Sequence, residues 1–541
     1  MANKSRIQLY DTTLRDGAQR AGISFSVEDK LKIAKRLAEI GIHFIEGGWP
    51  GSNPKDAEFF TRARNLDLKH ATLVAFGSTR RANIKVKEDS NLNALKESGT
   101  KVVTLVGKSW DLHVTDVLNT TLEENLRMIA DSIRYLKSGG QYVFFDAEHF
   151  FDGYKRNSGY ALRTIEAAAE ARADCIVLCD TNGGALPDEV ATAVKVVKKV
   201  GISLGIHAHN DGELAVANTL AAVQAGAIQV QGTINGYGER SGNANLCSII
   251  PALKLKMGIN CISDVNLSRL TEVSRYVSEL ANIIPDLHLP YVGASAFTHK
   301  AGLHVSGLMK HEESYQHINP DLVGNRSQVL VSELSGLSNI TYKAKELGLD
   351  MPKGERAKAV LEQIKALEKQ GFQYEGAEAS FELLVRRTDP DYRSPFELVD
   401  FMVVVEKHRR TPIVSARQED MLSEAIVKVR VGDEVIHTAA EGNGPVNALD
   451  AALRKALLQF YPSLSAVKLM DYKVRILEES DGTKSKVRVL IESSDGEHEW
   501  RTVGSSTNIM EASWVALADS LEYWLLRHGL VAAKKRTRRS G

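Results

Sequence analysis

The sequence predicts an α/β protein that begins with a (β/α)8 TIM barrel, continues through helical linker subdomains and ends in an α+β domain. Through residue 257, a short apolar run, a polar loop and an amphipathic segment follow one another repeatedly. The strand-like runs lie near Ile7, Ile42, Ala71, Val102, Tyr142, Cys175, Ser203 and Ala227. Eight such units in about 250 residues have the dimensions of a barrel, and the alternative is an open doubly wound sheet.

The segment between the first two strands predicts a helix with defined ends. Ser26 is a favourable N-cap, and the acidic Glu28 and Asp29 follow it. Apolar residues then recur at helical spacing, namely Leu31, Ile33, Ala34, Leu37 and Ile40. Gly41 is expected to end the helix, since glycine readily adopts the left-handed conformation found beyond helix C-termini.

The length of 541 residues exceeds the usual size of one hydrophobic core, so we expect several domains. The predicted divisions are a barrel over 1–275, linker subdomains over 276–390 and a C-terminal domain over 391–541. In that last part, strands are predicted at 425–431, 434–438, 472–477 and 487–491, and helices at 446–460 and 509–526. A small-residue loop precedes each helix, which indicates a weak internal repeat.

The composition is that of an ordinary globular protein. The chain has 68 basic and 68 acidic residues, and 43% of its residues are hydrophobic, so neither nucleic acid nor a membrane is an expected partner. The basic run at 534–539 is expected to be a solvated tail. No signal peptide is recognised, which favours a cytoplasmic protein. The four cysteines lack zinc-site spacing and are expected to be core thiols.

Two histidines one residue apart are the strongest local sign of chemistry. His207 and His209 follow an apolar run, and the two-residue period of a strand turns both imidazoles toward one side. Asp16, in the loop after the first strand, could add a carboxylate ligand, with Arg15 as a cation beside it. Two imidazoles and a carboxylate suit a divalent metal. Without further support, the histidines could equally be satisfied polar residues, and Arg15 and Asp16 a loop ion pair.

Polar residues cluster where the predicted strands end. They are Arg15, Asp16, Glu46, Glu148, Asp180, Thr181, His207 and His209. Each one alone could be a cap, a loop residue or a core hydrogen-bonding group. Their shared placement favours the barrel, because the carboxyl ends of barrel strands carry the active site.

Three motifs in order resemble one enzyme family. They are DTTLRDG at 11–17, HAHND at 207–211 and GERSGN at 238–243. Together they resemble the metal-dependent acyl-CoA Claisen enzymes, which include isopropylmalate, homocitrate and citramalate synthases and related lyases. The segment at 46–56 is most similar to the citramalate branch, which implies condensation of acetyl-CoA with pyruvate to give (R)-citramalate, the first step of a pyruvate route to isoleucine.

The resemblance implies a role for each candidate residue in the barrel. Asp16, His207 and His209 would bind a divalent metal, with Asn243 in or beside its shell; Mg²⁺ or Mn²⁺ is favoured, while Zn²⁺ and Co²⁺ remain open. Arg15 would stabilise oxyanion charge, Thr181 would hold the oxo acid and Glu148 would orient the acetyl end or relay protons. Glu46 could bind substrate or orient Arg15.

Other roles concern selectivity and coenzyme A. Leu105 and Asp146, at the ends of the fourth and fifth strands, are the predicted determinants of oxo-acid selectivity. The loop with Gly236, Gly238, Glu239 and Arg240 is predicted to meet coenzyme A, because glycine allows backbone N–H groups to approach a ligand closely.

The later domains are implied to complete and regulate the site. His304 and Tyr315 match a histidine and a tyrosine that reach another subunit's active site in related synthases, which implies a homodimer. The loops at Gly444, Pro445, Val446, Ser506 and Thr507 are predicted to bind isoleucine as an effector, since they open helix N-termini. They could also be ordinary helix caps. The remaining alternatives are isopropylmalate synthase, an acyl-CoA lyase and a non-catalytic amino-acid sensor.

Overall fold

The computed structural model describes residues 7–331, 337–349, 355–406, 422–477 and 485–529. The chain divides into two compact units. The first consists of Met1–Phe297 and Gln316–Ser327, and the second of Thr298–Tyr315 and Gln328–Gly541. The basic run at 534–539 lies outside the described residues, so the prediction made for it stays a prediction.

The first unit is a closed barrel of eight parallel strands, which confirms the predicted fold class. The strands are β1 (Gln8–Asp11), β2 (Phe44–Gly48), β3 (Thr72–Ser78), β4 (Val102–Lys108), β5 (Tyr142–Glu148), β6 (Cys175–Asp180), β7 (Leu204–Ala208) and β8 (Gln229–Gly232). Each strand pairs with the next, and β8 pairs with β1 through Tyr10 and Gln231. The open doubly wound sheet is thereby excluded.

Alternate residues of each strand face the barrel interior and the surrounding helices. A small apolar cluster fills the interior and consists of Tyr10, Val74, Val102, Phe144, Cys175, Val177 and Cys179. The residues between them, such as Leu9, Ile45 and Val103, join the larger core under the helices. All four cysteines are buried and free, as the sequence predicts.

Helices of the first unit cover the outside of the barrel. They are α1 (Val27–Glu39), α2 (Pro54–Ala63), α3 (Ser90–Glu97), α4 (Leu122–Ser138), α5 (Phe150–Arg156), α6 (Ser158–Glu170), α7 (Pro187–Val197), α8 (Ala215–Ala225), α9 (Leu246–Pro251), α10 (Asp264–Leu267) and α11 (Leu270–Leu280). The predicted cap of α1 is confirmed: the Asp29 amide donates to the Ser26 hydroxyl at 3.1 Å, and the Ser26 amide donates to the Asp29 carboxylate at 2.9 Å. Gly41 follows the helix in the left-handed region, with φ at 91°.

The first unit continues past residue 275, where the sequence places the end of the barrel domain. The segment 316–327 returns to it, and the Thr271 hydroxyl donates to the Val323 carbonyl at 2.7 Å. The Asn325 amide donates to the carbonyls of Tyr291 and Gly293 at 2.9 and 2.8 Å. These hydrogen bonds join 289–297 and 316–327 to the end of the barrel.

The second unit contains helices and two antiparallel three-stranded sheets. Its elements are β9 (Thr298–His299), α12 (Gly302–Lys310), β10 (Gln328–Val329), α13 (Leu337–Glu346), α14 (Glu355–Lys369), α15 (Glu378–Arg387), β11 (Glu397–Glu406), β12 (Leu422–Val431), β13 (Glu434–Gly442), α16 (Pro445–Leu457), β14 (Lys468–Ile476), β15 (Val487–Ser494), β16 (Glu499–Ser506) and α17 (Ile509–Arg527). The predicted C-terminal strands and helices are present. Strands β11 and β16 are not among the predicted ones.

The weak internal repeat is a structural repeat. Strands β11, β12 and β13 followed by α16 correspond to β14, β15 and β16 followed by α17. The Thr438 hydroxyl donates to the Ala452 carbonyl at 2.8 Å, and the Thr502 hydroxyl donates to the Ala516 carbonyl at 2.7 Å. Each repeat thus joins its last strand to its helix by the same buried hydrogen bond. Across the described ranges, no helix combines the length and apolarity needed to cross a membrane.

We predict that T438V and T502V destabilise the second unit by similar amounts. Each substitution keeps the side-chain shape but removes one buried hydroxyl donor, which is worth about 1 kcal/mol. Urea unfolding of both variants, monitored by tryptophan fluorescence, measures the loss in the free energy of unfolding. Unchanged stability in either variant would contradict the proposed equivalence of the two hydrogen bonds.

Candidate active site

The three predicted metal ligands converge at the carboxyl end of the barrel. His207 lies near the end of β7, His209 follows that strand, and Asp16 lies in the loop after β1. The Asp16 Oδ2 lies 3.3 Å from the His207 Nε2 and 3.9 Å from the His209 Nε2, and the two imidazole nitrogens are 3.3 Å apart. All three side chains are buried, and their ligand atoms lie within 4.8 Å of one another.

A second layer of hydrogen bonds orients His207. Its Nδ1 lies 2.9 Å from the Gln231 Oε1, and because an amide oxygen only accepts, the Nδ1 must carry the proton. The Nε2 of a neutral ring is then free to bind a metal. The Gln231 amide in turn donates to Asp146 at 3.3 Å. Gln231 therefore sets the imidazole tautomer that a metal site requires.

Asn243 lies beside the triad and leaves one atom for a ligand. Its Nδ2 donates to the Asp16 Oδ1 at 3.1 Å and to the Tyr237 carbonyl at 3.2 Å, while its Oδ1 is buried without a hydrogen-bond partner. Gly238 is needed here because an added Cβ would lie 2.1 Å from the Asn243 Nδ2. The glycine thus makes room for the asparagine.

The donor set fits a divalent cation. Burial disfavours the charged form of Asp16, but the charge of Arg15 and the hydrogen bond from His207 hold the pKa of this carboxyl well below its usual range. Burial also opposes protonation of His207, yet the hydrogen bond and charge of Asp16 outweigh it and raise the pKa of that ring. Burial and the charge of His207 lower the pKa of His209 to about 4. The Asp16 carboxylate, the neutral ring of His209 and the Asn243 amide oxygen are thus available as ligands, and a cation would take the place of the proton that Asp16 favours on His207.

Arg15 is held rigidly beside this cluster. Its Nε donates to the Glu46 Oε1 at 2.5 Å, and its guanidinium lies 3.8 Å from the centre of the Phe76 ring. The other Glu46 oxygen accepts from the Tyr10 hydroxyl at 2.5 Å. Burial opposes the charge on Arg15, but Glu46 and Asp16 keep the pKa of its guanidinium above the ordinary value. Because both Glu46 oxygens are engaged, the geometry favours the orienting role for Glu46.

The two predicted selectivity residues face opposite sides of the barrel wall. Leu105 is fully buried in the core between strands and helices, so the prediction that it lines the oxo-acid pocket is wrong. The strand period explains the error, since the neighbouring Thr104 faces the interior and its hydroxyl lies 2.8 Å from that of Tyr10. Asp146 does face the interior, where burial raises its pKa to about 7.

Glu148 and Thr181 lie on neighbouring strand ends. Glu148 forms a short ion pair with Lys108, a partly buried residue that the sequence analysis missed. Lys108 ends β4 and pairs in register with Glu148 on β5, so the strand period could have found it. The Thr181 hydroxyl accepts a hydrogen bond from the His149 amide at 2.9 Å. The hydroxyl proton of Thr181 remains available to another acceptor.

The loop predicted to meet coenzyme A is tied to neighbouring loops. Gly236 lies in the left-handed region with φ at 68°, and its carbonyl accepts from the Asn243 amide at 3.0 Å. Arg240 donates two hydrogen bonds to Asp211, at 2.8 and 2.9 Å, and one to the Thr181 carbonyl at 2.7 Å. Glu239 and Arg240 are both exposed at their side chains. The coenzyme A assignment stays a prediction.

His304 and Tyr315 belong to the second unit, and their rings stack with centroids 4.5 Å apart. Both are exposed. Gly307 permits this arrangement, since an added Cβ would lie 2.4 Å from the Tyr315 ring. The two residues therefore form a preassembled, accessible pair within their own unit.

The predicted effector residues open α16 and α17. Gly444 is the N-cap of α16, Pro445 begins that helix and Val446 follows. At the second loop, the Ser506 hydroxyl donates to Glu511 at 2.6 Å, and Thr507 is exposed. The two loops occupy equivalent places in the two repeats. The effector assignment stays a prediction.

Comparison with known proteins agrees with this architecture. The HMGL-like family matches residues 6–277, a homocitrate synthase post-HMGL domain-like family matches 291–371, and the LeuA allosteric (dimerisation) domain matches 375–525. The (R)-citramalate synthases of Geobacter sulfurreducens and Aquifex aeolicus are 55% and 53% identical; the alignments cover 98% and 96% of this chain and 100% and 98% of the relatives. The chain belongs to the (R)-citramalate synthase family. It is an enzyme that transfers an acyl group.

A more distant relative marks the neighbouring branch. A 2-isopropylmalate synthase of Methanocaldococcus jannaschii is 30% identical, with 95% of this chain and 94% of the relative covered. This chain is therefore more similar to the (R)-citramalate synthases of Geobacter sulfurreducens and Aquifex aeolicus than to this isopropylmalate synthase.

We predict that H209A sharply weakens Mn²⁺ binding and that Q231M weakens it by about 10- to 100-fold, the usual effect of losing a group that orients a ligand. The first substitution removes a ligand nitrogen, and the second removes only the acceptor that fixes the His207 tautomer. Isothermal titration of each chelator-treated variant with Mn²⁺ measures both effects. H498A is the matched control, because His498 is exposed in the second unit. Wild-type affinity in H209A would contradict the ligand assignment.

Proposed function

We propose that this enzyme condenses acetyl-CoA with pyruvate and water to give (R)-citramalate and coenzyme A. The observation that carries the proposal is the buried Asp16, His207 and His209 cluster beside Arg15 in a chain about half identical to (R)-citramalate synthases. This reaction would be the first step of a pyruvate route to isoleucine. The proposed division of labour is a catalytic barrel over 1–275, linker subdomains over 276–390 and a regulatory domain over 391–541.

The reaction places negative charge on the oxygen of the oxo acid as the new carbon–carbon bond forms. Asp16, His207 and His209, with Asn243, would hold the divalent cation, which would act as a Lewis acid toward that oxo acid. Arg15, pinned by Glu46, presents a fixed positive charge on the same side. Loss of one such electrostatic group typically costs on the order of 10²- to 10³-fold in rate.

Two further barrel residues handle the ends of the substrates. The Thr181 hydroxyl can donate a hydrogen bond to the pyruvate carboxylate while its oxygen accepts one from the His149 backbone amide. Glu148 lies one strand away and, paired with Lys108, presents a carboxylate to the acetyl end. Asp146 accepts a hydrogen bond from Gln231 and so helps to hold the residue that orients His207. We propose that the loop from Gly236 to Arg240 binds coenzyme A.

We propose that the active enzyme is a homodimer and that His304 and Tyr315 of one subunit complete the site of another. Their exposure and mutual stacking fit that role, because histidine is the side chain most often used for general acid–base catalysis. Exposed apolar side chains on the C-terminal strands also favour association; Met402, Met470 and Ile476 are 53%, 59% and 58% exposed. The match to the LeuA allosteric (dimerisation) domain supports this proposal.

The decisive test is the choice of acceptor. We expect coenzyme A release from acetyl-CoA with pyruvate to exceed release with 2-oxoisovalerate, 2-oxobutyrate or 2-oxoglutarate, and to stop after chelation. A thiol assay with each acceptor, plus Mg²⁺ or Mn²⁺, measures this directly. Preference for 2-oxoisovalerate would instead assign the chain to isopropylmalate synthesis, and absence of release with any acceptor would overturn the proposal.

We expect isoleucine to inhibit the enzyme through the loops that open α16 and α17. At Gly444 an added Cβ would meet nothing within 4 Å, so G444L should fold normally while blocking access to the loop. The expected result is loss of isoleucine inhibition in G444L and its retention in E497L, an exposed turn control. Inhibition curves with isoleucine, leucine and valine check both, and undiminished inhibition of G444L would place the effector elsewhere.

A further inference from the structure

A group of aromatic and polar side chains lies beside the proposed active site, and these side chains have no part in the mechanism above. It consists of Trp110, His113, His149, Asp152 and Asn182. Trp110 and His113 follow β4, His149 follows β5, Asp152 lies in the first turn of α5, and Asn182 follows β6. The His113 and His149 ring centroids are 4.3 Å apart, and Trp110 stacks on His113 at 5.1 Å.

His149 has a backbone conformation that needs an explanation. Its φ is 54°, in the left-handed region that residues with a Cβ seldom adopt. It directly follows Glu148 and serves as the N-cap of α5. Strained residues of this kind persist only where the surroundings hold them, and they concentrate at functional sites.

Two sets of hydrogen bonds hold His149 against the loop after β6. Its backbone amide donates to the Thr181 hydroxyl at 2.9 Å. Its ring Nδ1 lies 3.0 Å from the Asp152 Oδ2, and the same oxygen accepts from the Asn182 side-chain amide at 3.1 Å. The backbone of His149 therefore binds Thr181 directly, and its ring is linked to the next residue, Asn182, through Asp152.

The loop after β4 packs against the same turn. Gly153 lies so close to it that an added Cβ would be 2.4 Å from the Ser109 carbonyl oxygen. The Ser109 amide donates to the Glu148 carbonyl at 3.1 Å. The backbone of Glu148 is therefore fixed on one side by Ser109 and on the other by the turn at His149.

We propose that His149 and Asp152 form a latch that positions Glu148 and Thr181 for the reaction. The latch fixes the orientation of Glu148 at the end of β5. It also directs the His149 backbone N–H at the Thr181 oxygen, so that the Thr181 hydroxyl proton points away from His149. His149 and Asp152 are positioning residues, since they act through Glu148 and Thr181. This inference rests on the proposed function of those two residues.

The test compares H149A, D152A and the double variant. Each single change should lower kcat/KM for pyruvate by about 10²-fold, the usual result of a small displacement of positioned groups. Displacement of Thr181, which holds pyruvate, should raise KM. Displacement of Glu148, which acts at the acetyl end, should lower kcat. Because both residues belong to one latch, the double variant should lose little more than either single one. Folded single variants within about twofold of wild type, or losses that multiply in the double variant, would overturn the latch.

Two glycine substitutions separate the backbone from the ring. H149G keeps the left-handed backbone without strain but removes the ring, so its kcat/KM should fall between those of H149A and wild type. R172G is the matched control, because Arg172 also has a positive φ, at 66°, but lies between α6 and β6 at the other end of the barrel. It should stay within about twofold of wild type, and a loss equal to that of H149G would overturn the assignment.

Amide hydrogen exchange distinguishes failure of the latch from failure of the proposed function. In D152A, the amides of residues 149–153 should exchange faster than in wild type, whatever reaction the protein catalyses. If the wild-type protein is inactive but D152A still exchanges these amides faster than wild type, the proposed function is overturned and the latch is kept. Unchanged exchange in D152A would overturn the latch even in an active enzyme.

Discussion

The pairing of β8 with β1 is the constraint on which the site depends. It closes the barrel and brings the loop that carries Asp16 next to the strand ends that carry His207 and His209. The three ligand atoms then share one buried volume, where unpaired lone pairs are costly without a cation or protons between them. Closure thus brings Asp16, which follows the first strand, and His207 and His209, at the end of the seventh, into one potential metal centre. An open sheet would separate them.

Around that centre, each functional group is fixed by a neighbouring residue. Glu46 and Phe76 hold Arg15, Gln231 sets the tautomer of His207, and Gly238 leaves the space that Asn243 occupies. Most of these supports are buried and lie on strands. Electrostatic catalysis requires such fixed groups, because charges that must reorganise during the reaction stabilise its transition state less.

The sequence predicts the barrel, its strand ends and the convergence of Asp16, His207 and His209 well, because each depends on a local pattern. Apolar runs mark the strands, and the alternating period places His207 and His209 on one side. The prediction for Leu105 is wrong because an apolar residue near a strand end fits either face of the strand unless the register is known. The hydrogen bond between Thr104 and Tyr10 shows which face is the interior one, and only the structure reveals that bond. Lys108 was missed for a related reason: its role depends on pairing across strands. The strands β11 and β16 are not predicted because buried and exposed residues do not alternate regularly along them.

The turn after Glu148 shows what sequence patterns alone do not convey. The sequence around His149 does not single out this position for a left-handed backbone. Histidine adopts it more often than most residues with a Cβ, but none of the other histidines in the described residues does so, and no glycine marks the position. The conformation follows from the hydrogen bonds that meet at this turn. Thr181 binds the His149 backbone amide, Asp152 binds the His149 ring, and the Ser109 amide binds the Glu148 carbonyl. A barrel keeps its stability in the strands and helices and leaves the loops at its carboxyl end free to vary. The same freedom means that these loops need ties to one another, because groups that must act on one substrate have to keep their positions relative to each other to within fractions of an ångström.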